Sequence, residues 1–215
     1  MRLGVSVYVV PYRNPVVTAK LVATLDALSG GRLIFGVGVG WLREEFDALG
    51  ADARRRGRVT DDYLDVCRRL WRDEVASFAG AHYRLPPVRS GPKPAQRPWP
   101  PIWVGGNSAA ALARAVARGD GLHLIDLPAT EIAPLVAQLH AQLRAAGRAR
   151  RGFTVSLRAG VPVERGAGVD VRAVQHVRDA AAQAGVDYLV LGPRGATSVD
   201  DLDTALDALA SGLLG

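Results

Sequence analysis

Between Leu3 and Trp41 the chain runs strand, helix, strand with almost no residues to spare, and the second strand ends in Gly36-Val37-Gly38-Val39-Gly40-Trp41. Leu3 to Val10 is apolar, with two halves rich in β-branched residues. Asn14-Pro15 pairs a helix N-cap with a proline at the first helical position, Ser29-Gly30-Gly31 stops that helix, and Arg32-Leu33-Ile34-Phe35 opens the next strand. So economical a βαβ unit requires parallel strands buried on both faces. It reads as the middle of a barrel, not its beginning.

The alternation continues. A helix is expected from Val59 to Asp73, opened by acidic residues that complement its dipole and carrying Tyr63, Leu64, Val66, Cys67, Leu70 and Trp71 on overlapping apolar faces. Val75 to Pro101 holds most of the prolines and reads as an irregular insertion, with a short hairpin pairing Ser77-Phe78 with Tyr83-Arg84 across Gly80. Strands then follow at Ile102–Val104, Leu122–Ile125, Phe153–Ala159 and Asp187–Leu191. Helices follow Asn107-Ser108 and span Thr130–Ala146, Val169–Ala184 and Ser198–Leu213. Six strands in a single domain over residues 1–215, each followed by a helix, mean an α/β fold, either an open doubly wound sheet or a barrel. In both, ligands sit at the carboxyl ends of the strands, which here are Pro11–Asn14, Val39–Glu45, Gly105–Ser108, Asp126–Thr130 and Gly192–Arg194.

Composition narrows the function classes. With 215 residues, 48% hydrophobic and 22% charged, the chain belongs with soluble globular proteins. It has no apolar run near the roughly 20 residues of a membrane span and no secretory signal pattern in its first 30 residues. The single cysteine, Cys67, cannot form an internal disulfide, which predicts a cytoplasmic protein. The net charge of +6 comes from arginine, since Lys20 and Lys93 are the only lysines. The one dense basic cluster, Arg54-Arg55-Arg56-Gly57-Arg58, is expected in a loop before a helix and has no interleaved aromatics, which argues against nucleic acid as a partner. A basic surface also suits an anionic cofactor or substrate.

Gly105-Gly106-Asn107-Ser108 opens a helix at the end of a strand, so its free amides suit a phosphate; a plain turn with an N-cap is the alternative. No Gly-Lys-Ser/Thr follows, which excludes a Walker loop and ATP. His82, His123, His140 and His176 lack metal-ligand spacing, and His123, within a strand, reads as a satisfied core histidine. No Ser-His-Asp or paired-carboxylate arrangement emerges from spacing, so no catalytic residue is assigned.

Leu3-Gly4-Val5-Ser6-Val7, Pro11, Arg13-Asn14-Pro15, Ala19-Lys20, Leu25, Ser29 to Arg32, Gly36 to Trp41 and Glu45-Phe46 together resemble the bacterial luciferase-like monooxygenase family. The actinobacterial branch that uses the deazaflavin coenzyme F420 is the most similar. Arg56-Gly57, Leu70-Trp71, Phe78-Ala79-Gly80 with Tyr83, Pro100 to Gly106, Gly119-Asp120-Gly121 and Gly185-Val186-Asp187 extend the match in order along nearly the whole chain.

The resemblance implies a (β/α)8 TIM-type barrel, incomplete at the N-terminus, with about six βα units present and two preceding Met1 absent. The second of those would carry the polar residue beside the reactive ring. A chain so shortened, expected to be a gene-model truncation or a remnant, would expose two sheet edges and be poorly stable alone. By resemblance, Ser6-Val7 is the site of a non-prolyl cis peptide that props the cofactor's central ring, an ordinary buried strand being the alternative. Val39 and Gly40 contact the cofactor, or else merely pack strand against helix. Gly105, Gly106 and Asn107 take its phosphate. Trp41 is either an aromatic wall for substrate or a lid on the core, while Glu44 and Glu45 lie in the same loop, Glu45 in a structural role.

The implied activity is F420-dependent hydride transfer to or from a small organic substrate. An FMN-dependent monooxygenase is the alternative within the family, and an inactive barrel remnant the alternative outside it. Relatives are commonly dimers, which implies a homodimer; neither membrane nor metal is expected.

Overall fold

The computed structural model describes residues 1–163 and 168–214. The chain divides into two compact units, residues 1–122 and 123–215. Among the described residues, no helix is long and apolar enough to cross a membrane.

In the first unit, β1 (Leu3–Gly4) and β2 (Tyr8–Val9) lie along the same side of β3 (Leu33–Gly38), and β6 (Ile102–Gly105) lies along its other side, all parallel. The parallel βαβ expectation holds, but the strand foreseen over Leu3–Val10 is broken in two. Leu3 and Gly4 stand opposite Leu33 and Ile34, whereas Tyr8 and Val9 stand opposite Val37 and Gly38. Three residues, Val5 to Val7, therefore oppose two, Phe35 and Gly36, which is a bulge.

Helix α1 (Pro15–Leu28) starts where expected, with the Asn14 side chain accepting from the Val16 amide at 2.9 Å. It packs beside α3 (Arg56–Arg72), where Trp71 donates to the Ala19 carbonyl at 2.8 Å and the Cys67 thiol faces the Pro15 carbonyl at 3.4 Å. Burial pushes that thiol's pKa up, so it stays protonated. Phe35 meets Trp71 edge to ring at 6.0 Å, so Phe35, with Tyr8 against it, marks the helix-covered face of the sheet.

Two expectations about loops are corrected. The stretch after β3 forms a short helix, α2 (Arg43–Ala48), so Glu44 and Glu45 occupy a helical first turn rather than a loop. The arginine cluster is split, with Arg56 and Arg58 already inside α3, because the helix starts three residues before Val59. The insertion does hold a hairpin, β4 (Ala76–Ala79) with β5 (Arg84–Val88), in which Phe78 pairs with Leu85 instead of Tyr83 and the register shifts between Phe78 and Ala76. The irregular remainder is well anchored. Buried Asp26 accepts from the Gln96 backbone and side-chain amides at 2.8 and 2.7 Å, and Lys93 caps the end of α3 through the Leu70 and Asp73 carbonyls at 2.7 and 2.6 Å. Helix α4 (Ala109–Arg118) follows β6, its Arg114 paired with Asp61 of α3 at 2.6 Å.

Strand β7 (Gly121–Ile125) crosses into the second unit, which adds α5 (Ala129–Ala145), β8 (Thr154–Pro162), α6 (Val171–Gln183), β9 (Tyr188–Arg194) and α7 (Val199–Leu214). Strands β8 and β9 are parallel over seven residue pairs, from Ser156 opposite Tyr188 to Pro162 opposite Arg194. Both outrun the expected ends at Ala159 and Leu191. Val161 packs with Val169, Val174, Ala205 and Leu209 in this unit's own apolar core.

Candidate functional site

The alternation of β3 decides what its second face offers. With Phe35 on the helix side, Gly36 and Gly38 point the other way, and the parallel register sets Trp103 of β6 beside Gly36. Glycine is sterically required here. A Cβ on Gly36 would sit 1.8 Å from the Val5 carbonyl oxygen, and one on Gly38 would sit 2.6 Å from a Val7 methyl. A Cβ on Gly105 would sit 2.9 Å from the other Val7 methyl. The bulge Val5-Ser6-Val7 is thus pressed onto a bare patch formed by three glycines of two strands, with the Val7 isopropyl group bridging Gly38 and Gly105. The Ser6–Val7 peptide bond is cis, as the resemblance implies, and Ser6 is exposed rather than a buried strand residue.

The segments that were expected to act together are therefore adjacent. Val39 and Gly40, both half-buried, end β3 on the rim; Gly40 has φ +79°, and a Cβ there would strike Val9 and the Phe46 ring at 2.8 and 2.9 Å. Across from it, Gly105 leads into Gly106 (φ +126°), exposed Asn107 and Ser108, whose hydroxyl accepts from the Ala111 amide at 3.2 Å. The Leu112 amide is taken by the Ser108 carbonyl, so the first-turn amides of Ala109 and Ala110 have no acceptor within the helix. With the positive end of the helix dipole, this mouth suits an anion.

Around the rim, side chains brace the loops. The Tyr12 hydroxyl donates to Glu45 at 2.8 Å, and its ring meets Phe46 edge-on at 4.8 Å, tying the turn after β2 to α2. Desolvation first, and then the Glu45 carboxylate, push the Tyr12 pKa up to about 12. Asn14 donates to the Tyr83 hydroxyl at 3.4 Å, linking the same turn to the hairpin. These braces were not foreseen from sequence, where only the segments and not their cross-links are visible. Trp41 is 85% exposed on this rim, which rules out the reading of it as a lid on the core.

In the second unit, His123 is buried and its Nδ1 lies 2.8 Å from the Ser156 hydroxyl, the satisfied state expected of it. Burial, assisted by the charge of Arg158, lowers its pKa to about 4. His140 accepts from Arg150 at 3.0 Å, and no cluster of metal-ligating side chains forms among the described residues.

The luciferase-like monooxygenase family profile matches residues 1–177. The FMNH2-dependent dimethylsulfone monooxygenase of Pseudomonas putida is 37% identical over 101 residues, covering 46% of this chain and 28% of that protein. Among solved structures, monooxygenase RslO1 from Streptomyces bottropensis is 24% identical with a TM-score of 0.68, covering 99% of this chain and 59% of that one. An F420-dependent secondary alcohol dehydrogenase in complex with an F420-acetone adduct is 17% identical with a TM-score of 0.81, covering 99% and 79%. The chain spans less than half the length of the curated relatives it matches. At these identities the solved structures establish the fold, an α/β architecture of the luciferase-like TIM-barrel type. Since the profile runs through β1 to β8 and into α6, the chain belongs to the luciferase-like monooxygenase family.

Proposed function

We propose that the chain is an oxidoreductase that holds coenzyme F420 against the Val5–Val7 bulge seated on the glycines of β3 and β6 and acts on a small organic substrate. The observation that carries this reading is the convergence of the Val5–Val7 bulge, Gly38 and Gly105 beside the N-terminal mouth of α4. The fit is steric and electrostatic: the glycines let the bulge seat closely and offer its backbone to a flat ring, and a tail phosphate needs backbone donors. Val7 and the bulge at Ser6 would support the ring, Val39 and Gly40 would border it, and Gly105, Gly106 and Asn107 would lead its phosphate to the amides of Ala109 and Ala110. Exposed Trp41 would wall the substrate side. The chemistry supplied there is hydride transfer between the deazaflavin and the substrate. The chain's own residues bind, orient and exclude water. The single buried cysteine supports a cytoplasmic setting.

FMN is the second reading, favoured by the Pseudomonas putida relative, whose name records FMNH2 dependence. Fluorescence titration of the full chain with F420, FMN and riboflavin tests both. The expected result is saturable quenching of F420, with Asn107→Asp weakening F420 and FMN about tenfold or more by charge repulsion and leaving riboflavin unchanged. Saturation by FMN alone moves the assignment to FMN. Indifference to all three contradicts the reading and favours an inactive barrel.

A further inference from the structure

The second unit carries a charged patch that the cofactor reading leaves unused. The register of β8 and β9 puts Ser156, Arg158 and Gly160 on one face with Tyr188, Val190, Gly192 and Arg194. The opposite face is the one the helices cover, since Val161 and Leu191 pack with α6 and α7, and Leu157 lines a gap with Pro128 and Ile132 of the α5 segment and Ala180 of α6. Arg158 and Arg194 therefore stand on the face opposite those helices, Arg158 at the middle of β8 and Arg194 at the carboxyl end of β9.

Two glycines facing each other across the ladder, Gly160 and Gly192, make room for both guanidinium groups to lie over the sheet. A Cβ on Gly160 would strike the Arg194 guanidinium at 2.1 Å, and one on Gly192 would touch Arg158 Nε at 3.6 Å. Asp126, held in the left-handed region at φ +51°, accepts from the Gly160 amide at 2.8 Å and pairs with Arg194. Arg194 is thereby neutralised. The half-buried guanidinium of Arg158 has no hydrogen bond or ion pair among the described residues. With His123 neutral, the patch keeps one net positive charge and a planar, five-donor fork without an acceptor.

We infer that Arg158, with Arg194 beside it, forms an oxyanion-binding site for the carboxylate or phosphate of a small molecule. Bidentate pairing with such a group would satisfy the fork as no side chain here does. The inference does not rest on the cofactor reading, and its test separates the two.

Isothermal titration of the full chain with inorganic phosphate and with benzoate is the experiment. One saturable site per chain for at least one probe is expected, weakened at least about tenfold in Arg158→Gln, as loss of a charged hydrogen-bond pair dictates, and weakened less in Arg158→Lys, which keeps the charge but not the fork. Arg178→Gln, on exposed α6, should leave binding unchanged. Absence of saturable binding of both probes, or equal weakening by Arg178→Gln, overturns the inference. The preference for FMN over riboflavin should survive Arg158→Gln; its loss would overturn the inference by making Arg158 the holder of the cofactor tail.

Discussion

Gly36 is the least replaceable residue of the site. Its missing side chain is occupied by the Val5 carbonyl oxygen, a backbone atom of the neighbouring strand that has no rotamer to escape into. Gly36→Ala should cost about 3 kcal/mol, read as a fall in urea midpoint, because the strand pair must separate. Gly30, with nothing within 4 Å of its would-be Cβ, is costly only through its positive φ, so Gly30→Asn should be far milder. His123 belongs to the same scale. Its folded-state pKa of about 4 lies below the unfolded value of about 6.5, so the unfolded chain takes up the proton first as pH falls. The stabilising contribution is complete above pH 6.5 and is lost on the way down to pH 4. Urea unfolding at pH 7 and pH 5 should show about 2 kcal/mol more loss in the wild type than in His123→Gln. The glycine spacing of β3 was legible in the sequence, whereas the atoms the glycines make room for were not. Arg194 was marked only as part of a strand's carboxyl end and Arg158 not at all, because only the register of β8 and β9 brings their faces together.

Helix starts with a side-chain cap were read most accurately. Asn14 before α1 and Ser108 before α4 both form the hydrogen bonds their positions demand. Ser108→Ala should lower stability by about 1 kcal/mol through loss of the bond to the Ala111 amide. Where no cap exists, starts were missed or read late: α2, after Leu42 with no side-chain cap, was not foreseen, and α3 begins at Arg56, three residues before the expected Val59. Strands β8 and β9 were read short because Gly160, Pro162, Gly192 and Pro193 look like breakers, yet two parallel neighbours kept them in register to their ends. The insertion before β6 looked irregular because its order comes from distant partners, Asp26 above all. Asp26→Ala strands the Gln96 amides and should cost about 2 kcal/mol, measured as the same shift in unfolding free energy.

On the scale of the whole chain, the alternation of strand and helix predicted the α/β class, and the ordered motifs predicted the family. Periodicity alone left sheet and barrel undecided, since both repeat the same βα unit. The family sets a (β/α)8 expectation, and the segments that converge in the first unit lie far apart in sequence, at residues 5–7, 36–40 and 105–110. A bound cofactor must therefore leave a footprint on all three at once. Hydrogen–deuterium exchange of the full chain, with and without saturating F420 or FMN, reads that footprint directly. Slowed exchange confined to peptides spanning residues 3–10, 36–41 and 105–112 is the predicted result. Unchanged exchange there, or protection of the hairpin and insertion at residues 76–101 instead, would contradict the bulge over the glycine patch as the cofactor site.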